Sequence, residues 1–139
     1  MNVQYVEKMV LFGFQRIKMN KKQIAINRMK ALEQIKRSSQ FATRFGCAKC
    51  WKGTSKKHFM TISDIVWRLI NEYNYEILTE AEFVGGGRAD IFYLDNNKNP
   101  GVIEVLNSET NERFNIKLES YPFPITKVRV DEYSEDWCL

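Results

Sequence analysis

Two clusters of turn-forming residues, Gly85-Gly86-Gly87 and Asp95-Asn96-Asn97-Lys98-Asn99-Pro100-Gly101, divide the middle of this chain into short apolar runs. The runs are too short for ordinary helices, so residues 76–84, 88–95 and 102–106 read as strands joined by tight turns. In the second run Ala89, Ile91 and Tyr93 alternate with Asp90, Phe92 and Leu94. Helical spacing flanks the three. Residues 61–75 carry a stripe of Ile62, Ile65, Val66, Leu69, Ile70 and Tyr73, with Thr61 or Ser63 as cap and Asn74 as stop. Residues 108–120 place Phe114 and Leu118 on one side, and Pro122 and Pro124 end that helix. Residues 125–130 form a fourth strand, with Lys127 and Arg129 set among apolar neighbours. The order over 58–130 is therefore αβββαβ. That predicts an α/β fold with a mixed four-stranded sheet flanked by helices.

Ahead of this core lies a basic stretch. Residues 20–38 read as one helix with Asn20 as N-cap and Ala25, Met29, Leu32 and Ile35 on one face. Lys21, Lys22, Arg28, Lys30, Lys36 and Arg37 cover much of the rest. Residues 39–57 read as a linker that includes Arg44, and residues 1–18 fit either a short strand or an amphipathic helix. The expected division is a basic helical arm with a Cys-x-x-Cys loop over 1–57 and a core over 58–139. Residues 1–60 hold 14 Lys and Arg against two acids, whereas residues 61–139 hold 7 against 15. A polyanion such as DNA suits the first half, and carboxylates beside phosphate need divalent cations. A solvated basic face is the plain alternative, and docking on an acidic protein or a membrane surface is a third. No apolar run reaches the length of a membrane span, and the N-terminal residues lack the layout of a signal peptide. The expected compartment is the cytoplasm.

Two acids stand inside apolar runs, Asp90 in the second strand and Glu104 in the third. A hairpin between those strands lets the two lie side by side, with Cβ atoms about 5 Å apart when directly opposed. Carboxylates that close repel unless they share a hard cation, and Mg²⁺ binds through one or two of them. Cys47 and Cys50 fit a reduced loop, a local disulfide, or a zinc site completed by His58 and Cys138 or by a second copy of the chain. A structural zinc is not expected. Trp51, between Lys49 and Lys52, fits either base stacking or a core anchor. His58 is the single histidine and reads first as a surface or capping residue, with a catalytic or phosphate-contacting role as the alternative. Walker A, GxGxxG and GxSxG motifs are absent from the sequence, so ATPase, dehydrogenase and serine-hydrolase readings find no support.

The run Gly-Gly-Gly-Arg88-Ala-Asp90-Ile, followed by Val-Ile-Glu104-Val in the αβββαβ order, resembles the PD-(D/E)XK nuclease superfamily. The resemblance covers about half the chain and implies a restriction-endonuclease-like core. It implies a DNA endonuclease or junction resolvase that uses Mg²⁺ or Mn²⁺ and often works as a homodimer. Phage and archaeal-virus proteins of this size suit it. Asp90, Glu104 and the Val105 carbonyl take the places of the metal ligands. The family's lysine, two residues after the Glu, falls on Leu106, a departure from the pattern. Lys117 is the first candidate to replace it and Lys127 the second. Glu82, ahead of the glycine turn, assists by its spacing, with Glu80 on the same strand, and Arg88 contacts a phosphate. The alternative is a DNA-binding module that has lost catalysis with its lysine, in which Asp90 and Glu104 are structural acids, ion-paired with a cation such as Arg88.

Overall fold

A computed structural model of the protein describes residues 19–42 and 45–139. Its elements are α1 (Lys21–Glu33), α2 (Arg37–Ala42), α3 (Lys56–Asn71), β1 (Glu76–Glu82), β2 (Arg88–Leu94), β3 (Pro100–Leu106), α4 (Asn111–Ser120) and β4 (Ile125–Arg129). The strands lie in sequence order in one four-stranded sheet. β1 and β2 are antiparallel, β2 and β3 are antiparallel, and β3 and β4 are parallel, so the connection through α4 is a crossover. The chain is thus a mixed α/β protein with a mixed sheet flanked by helices.

Both faces of the sheet are covered, which is why its strands are apolar almost throughout. On one face Ile62, Ile65 and Leu69 of α3 pack against Ile77, Ile91, Ile103 and Val128. On the other, Ala31 and Ile35 meet Leu78, Phe92, Leu94 and Val102. The stretch expected as an arm therefore supplies part of the core.

The helix expected over 20–38 is broken. Asn20 caps α1, its side chain accepting from the Gln23 N–H at 2.8 Å. After Glu33, Ile35 pairs with Phe83 in an isolated bridge, the Lys36 N–H donates to the Glu82 carbonyl, and the Val84 N–H donates to the Gln34 carbonyl. Residues 46–49 serve the same strand farther along. The Gly46 N–H donates to the Ile77 carbonyl, and Thr79 Oγ1 accepts from the Lys49 N–H at 3.1 Å while donating to the Cys47 carbonyl at 2.8 Å. β1 is an edge strand, and these segments satisfy backbone groups that would otherwise stay open. That demand, invisible to helical periodicity, stops α1 at Glu33.

The other helices start elsewhere than expected. α3 begins at Lys56 with Ser55 as its cap, five residues ahead of Thr61, whose hydroxyl donates back to the Lys57 carbonyl. It ends at Asn71, and Asn74 sits at φ 57° in the turn into β1. α4 begins at Asn111 behind Thr110, later than residue 108. Among the described residues no helix is long and apolar enough to cross a membrane.

A carboxylate site where two strands part

The ladder between β2 and β3 runs from Leu94 opposite Pro100 to Ile91 opposite Ile103. One step farther the same register sets Asp90 opposite Glu104, and there the ladder stops. The Asp90 carboxylate replaces it, Oδ2 accepting from the Val105 N–H at 2.8 Å. Glu104 is among the most enclosed side chains in the molecule, 1% exposed. Its Oε2 accepts from Lys117 Nζ at 3.3 Å, whereas Oε1 is buried with no hydrogen-bond partner. Burial first, then the Asp90 charge, pushes the Glu104 carboxyl up to about 8, against the opposing pull of Lys117.

Lys117 comes from the last turn of α4 and also pairs with Glu109 at 2.9 Å. An amine from the crossover helix thus reaches the carboxylate that Leu106, itself buried, cannot serve. Lys127 does not reach it. It is the ladder neighbour of Glu104, but its ammonium lies 5.1 Å from the centre of the Phe114 ring.

His58 stands inside the site rather than on an outer surface. Its Nε2 lies 2.8 Å from the Val105 carbonyl and 3.8 Å from Asp90 Oδ2. A carbonyl only accepts, so Nε2 carries the hydrogen. Its contact with Asp90 raises the imidazole pKa, against burial. Nothing in the linear sequence signals this, because the contact joins the first turn of α3 to the far end of β3.

Glu82 is not part of the cluster. Its carboxylate pairs with Lys36 at 3.2 Å and is 44% exposed. Glu80 takes the place expected of it, lining the same cleft as Asp90. The backbone explains the exchange. Glu80 has φ 53°, in the left-handed region. Ile77 and Ala81 would share a face under strict alternation, yet they pack into opposite sides of the sheet. Burial and the nearby Asp90 charge raise the Glu80 pKa, and Arg88 holds its carboxylate at 2.8 Å.

Asp90, Glu80, His58 and Lys117 line a cleft of about 640 Å³ together with Lys49 and Trp51. Among the described residues no three His, Cys, Asp or Glu side chains group closely enough to hold a metal by themselves. Mg²⁺ does not require three, since one or two carboxylates suffice beside water and phosphate oxygens. Asp90, the Val105 carbonyl and Glu104, with its partnerless Oε1, suit such a cation.

The cations expected to meet nucleic acid divide into two groups. Arg28 is paired with Glu76 at 2.7 Å, Lys36 with Glu82 and Arg88 with Glu80. Lys21, Lys22 and Arg37 are exposed. Arg44 lies outside the described residues, as do residues 1–18. Cys47 and Cys50 are exposed free thiols. No protein-family model, no curated protein and no solved structure matches this chain.

Proposed function

We propose that the chain is a metal-dependent DNA nuclease of PD-(D/E)XK type with a restriction-endonuclease-like core. The observation that carries the reading is Asp90 beside a buried Glu104 whose Oε1 has no protein partner, at the point where β2 and β3 part. Three antiparallel neighbours followed by a parallel fourth strand support the fold reading. Asp90, Glu104 and the Val105 carbonyl would hold Mg²⁺ or Mn²⁺. Such an ion, when bound, would supply an activated water and offset charge on the phosphodiester. Lys117 stands in for the lysine missing at Leu106 and holds its ammonium beside the phosphate oxygens. His58, within 2.8 Å of the Val105 carbonyl and 3.8 Å of Asp90 Oδ2, orients both. The water oxygen would bond to phosphorus as the bond to the leaving sugar oxygen breaks, the proton lost by the water passing to solvent and the sugar oxygen taking its proton from solvent. A homodimer would bring two such sites to the two strands of a duplex.

Burial of Leu106 in the lysine position favours a second reading, a DNA-binding module without catalysis. Incubation of plasmid, single-stranded and four-way-junction DNA with Mg²⁺ or Mn²⁺ separates the two. Cutting that is metal-dependent and falls to background in both Asp90→Ala and Glu104→Ala is the expected result. DNA binding without cutting by the natural chain would select the binding module. Cutting that survives both substitutions would place the chemistry elsewhere.

A further inference from the structure

We propose that the cleft takes an unpaired DNA strand, with one base stacked on the exposed face of Trp51. The proposal rests on the nuclease reading for the position of the scissile phosphate, but not for the stacking itself.

Among the described aromatic side chains only Trp51, 46% exposed, and Trp67, 57% exposed, are open to solvent, and of the two only Trp51 lines the cleft. The segment carrying it is bonded to β1 at one end and runs into the cap of α3 at the other. Lys49 and Cys47 are hydrogen-bonded to Thr79 of β1, and the Thr54 N–H closes a turn on the Trp51 carbonyl at 3.1 Å. The Arg88 guanidinium lies 5.4 Å from the indole centre, and Glu80 fixes that guanidinium at 2.8 Å. Arginine over tryptophan is a favourable cation–π pair that leaves the remaining indole surface open. Glu80, Arg88 and Trp51 thus form a connected chain from the carboxylates to an exposed aromatic platform.

The platform stands between two adjoining hollows. One, of about 640 Å³, contains Asp90 and Lys117. The other, of about 270 Å³, contains Ser38, Ser39 and Glu82. Lys49, Trp51, Glu80 and Arg88 line both. A strand lying from one to the other passes over the indole and brings the adjoining backbone to the carboxylates. Besides Lys117 at the carboxylates, Lys49 is placed to meet its phosphates. The larger hollow has the size of a small-ligand pocket, suited to a nucleotide or two. Within a duplex both faces of a base are already stacked, so an indole can take a base only from an unpaired or extruded position. Every base has a π-face, so the platform predicts little sequence preference.

The test is binding by the full chain, in Ca²⁺, to a labelled oligo-dT strand, an abasic strand of equal length and a duplex of equal length. Trp51→Ala is expected to weaken oligo-dT binding about 5- to 150-fold, the cost of one lost base stack. Trp51→Phe should retain most of the affinity. The abasic strand should bind the natural chain weakly and be indifferent to Trp51→Ala, a comparison that does not depend on how well the variant packs. Unchanged oligo-dT binding by Trp51→Ala would overturn the proposal, as would equal weakening for oligo-dT and the abasic strand. Trp51-dependent binding without metal-dependent cutting would uphold stacking and sink the nuclease reading. Cutting lost in Asp90→Ala but indifferent to Trp51→Ala, together with unchanged binding, would do the reverse.

Discussion

Glu104 is the residue whose surroundings make the strongest demand. A carboxylate with one oxygen unpartnered and nearly no exposure is costly when ionised. Between the ordinary carboxylate range and about 8, the folded chain keeps a proton that the unfolded chain has released. Metal-free stability from this group therefore falls as pH rises through that window, by at most about 1.4 kcal/mol per pH unit. Glu104→Gln, always neutral, should lack this component. Melting temperatures from pH 5 to 8 in EDTA are thus expected to decline more steeply for the natural chain than for Glu104→Gln. Mg²⁺ should restore the natural chain at pH 8 and leave the variant unmoved, because the ion takes the proton's place. Parallel curves for the two proteins, with or without Mg²⁺, would remove Glu104 as both the titrating group and the ligand. Asp90 and Glu104 were legible in the sequence because acids inside apolar runs are rare and the hairpin fixes their register. Spacing ahead of the glycine turn points to Glu82, and strict alternation keeps Glu80 on the same face; the left-handed residue inside the strand, which separates the two, leaves no mark in the sequence.

At the scale of elements, the glycine turn between β1 and β2 sets where Arg88 and Asp90 begin their strand. Gly87 has φ +90°, and a Cβ there would lie 2.7 Å from the Tyr121 ring. The Tyr121 hydroxyl in turn donates to the Arg88 carbonyl at 2.8 Å, so one side chain both covers Gly87 and holds the residue after it. Gly85 meets nothing within 4 Å. Gly87→Ala is therefore expected to destabilise the fold by about 1–3 kcal/mol through backbone strain and steric conflict. Gly85→Ala should stay within about 0.5 kcal/mol, as an open surface position does. Urea denaturation of the two variants checks the contrast, and equal midpoints would mean that the contact with Tyr121 carries no energy. The αβββαβ order was readable because the period changes from helical to alternating at residues that also form turns. The break after Glu33 was not, because helix propensity continues through Gln34 to Lys36 while the open edge of β1 competes for the same backbone. Capping shows the same limit, since Ser55 and Thr61 are equally good caps in sequence and packing chooses between them.

Across the whole molecule, the division of charge along the sequence is not a division in space. Arg28 and Lys36 from the basic half close onto Glu76 and Glu82 from the acidic half. α1 crosses the sheet from the Asp95–Asn99 turn, where Asn27 donates to the Asn97 carbonyl, to the glycine turn, where Gln34 accepts from Val84. Lys21 and Lys22 therefore belong to the hairpin end, away from the carboxylates, whereas Lys49 lines the cleft. Net charge suggests a polyanion as partner but carries no information on which cations face the site. Lys49→Ala is expected to reduce the slope of log affinity for oligo-dT against log salt by about 0.7, the share of one phosphate contact on a single strand. The double variant Lys21→Ala/Lys22→Ala should leave that slope unchanged. Titrations at several salt concentrations distinguish the two. A reduced slope for the pair at the hairpin end, with none for Lys49, would move the path of the strand from the cleft to the outer surface of α1. The carboxylates would then stand apart from the DNA, and their separation from the basic surface would argue for binding without cleavage.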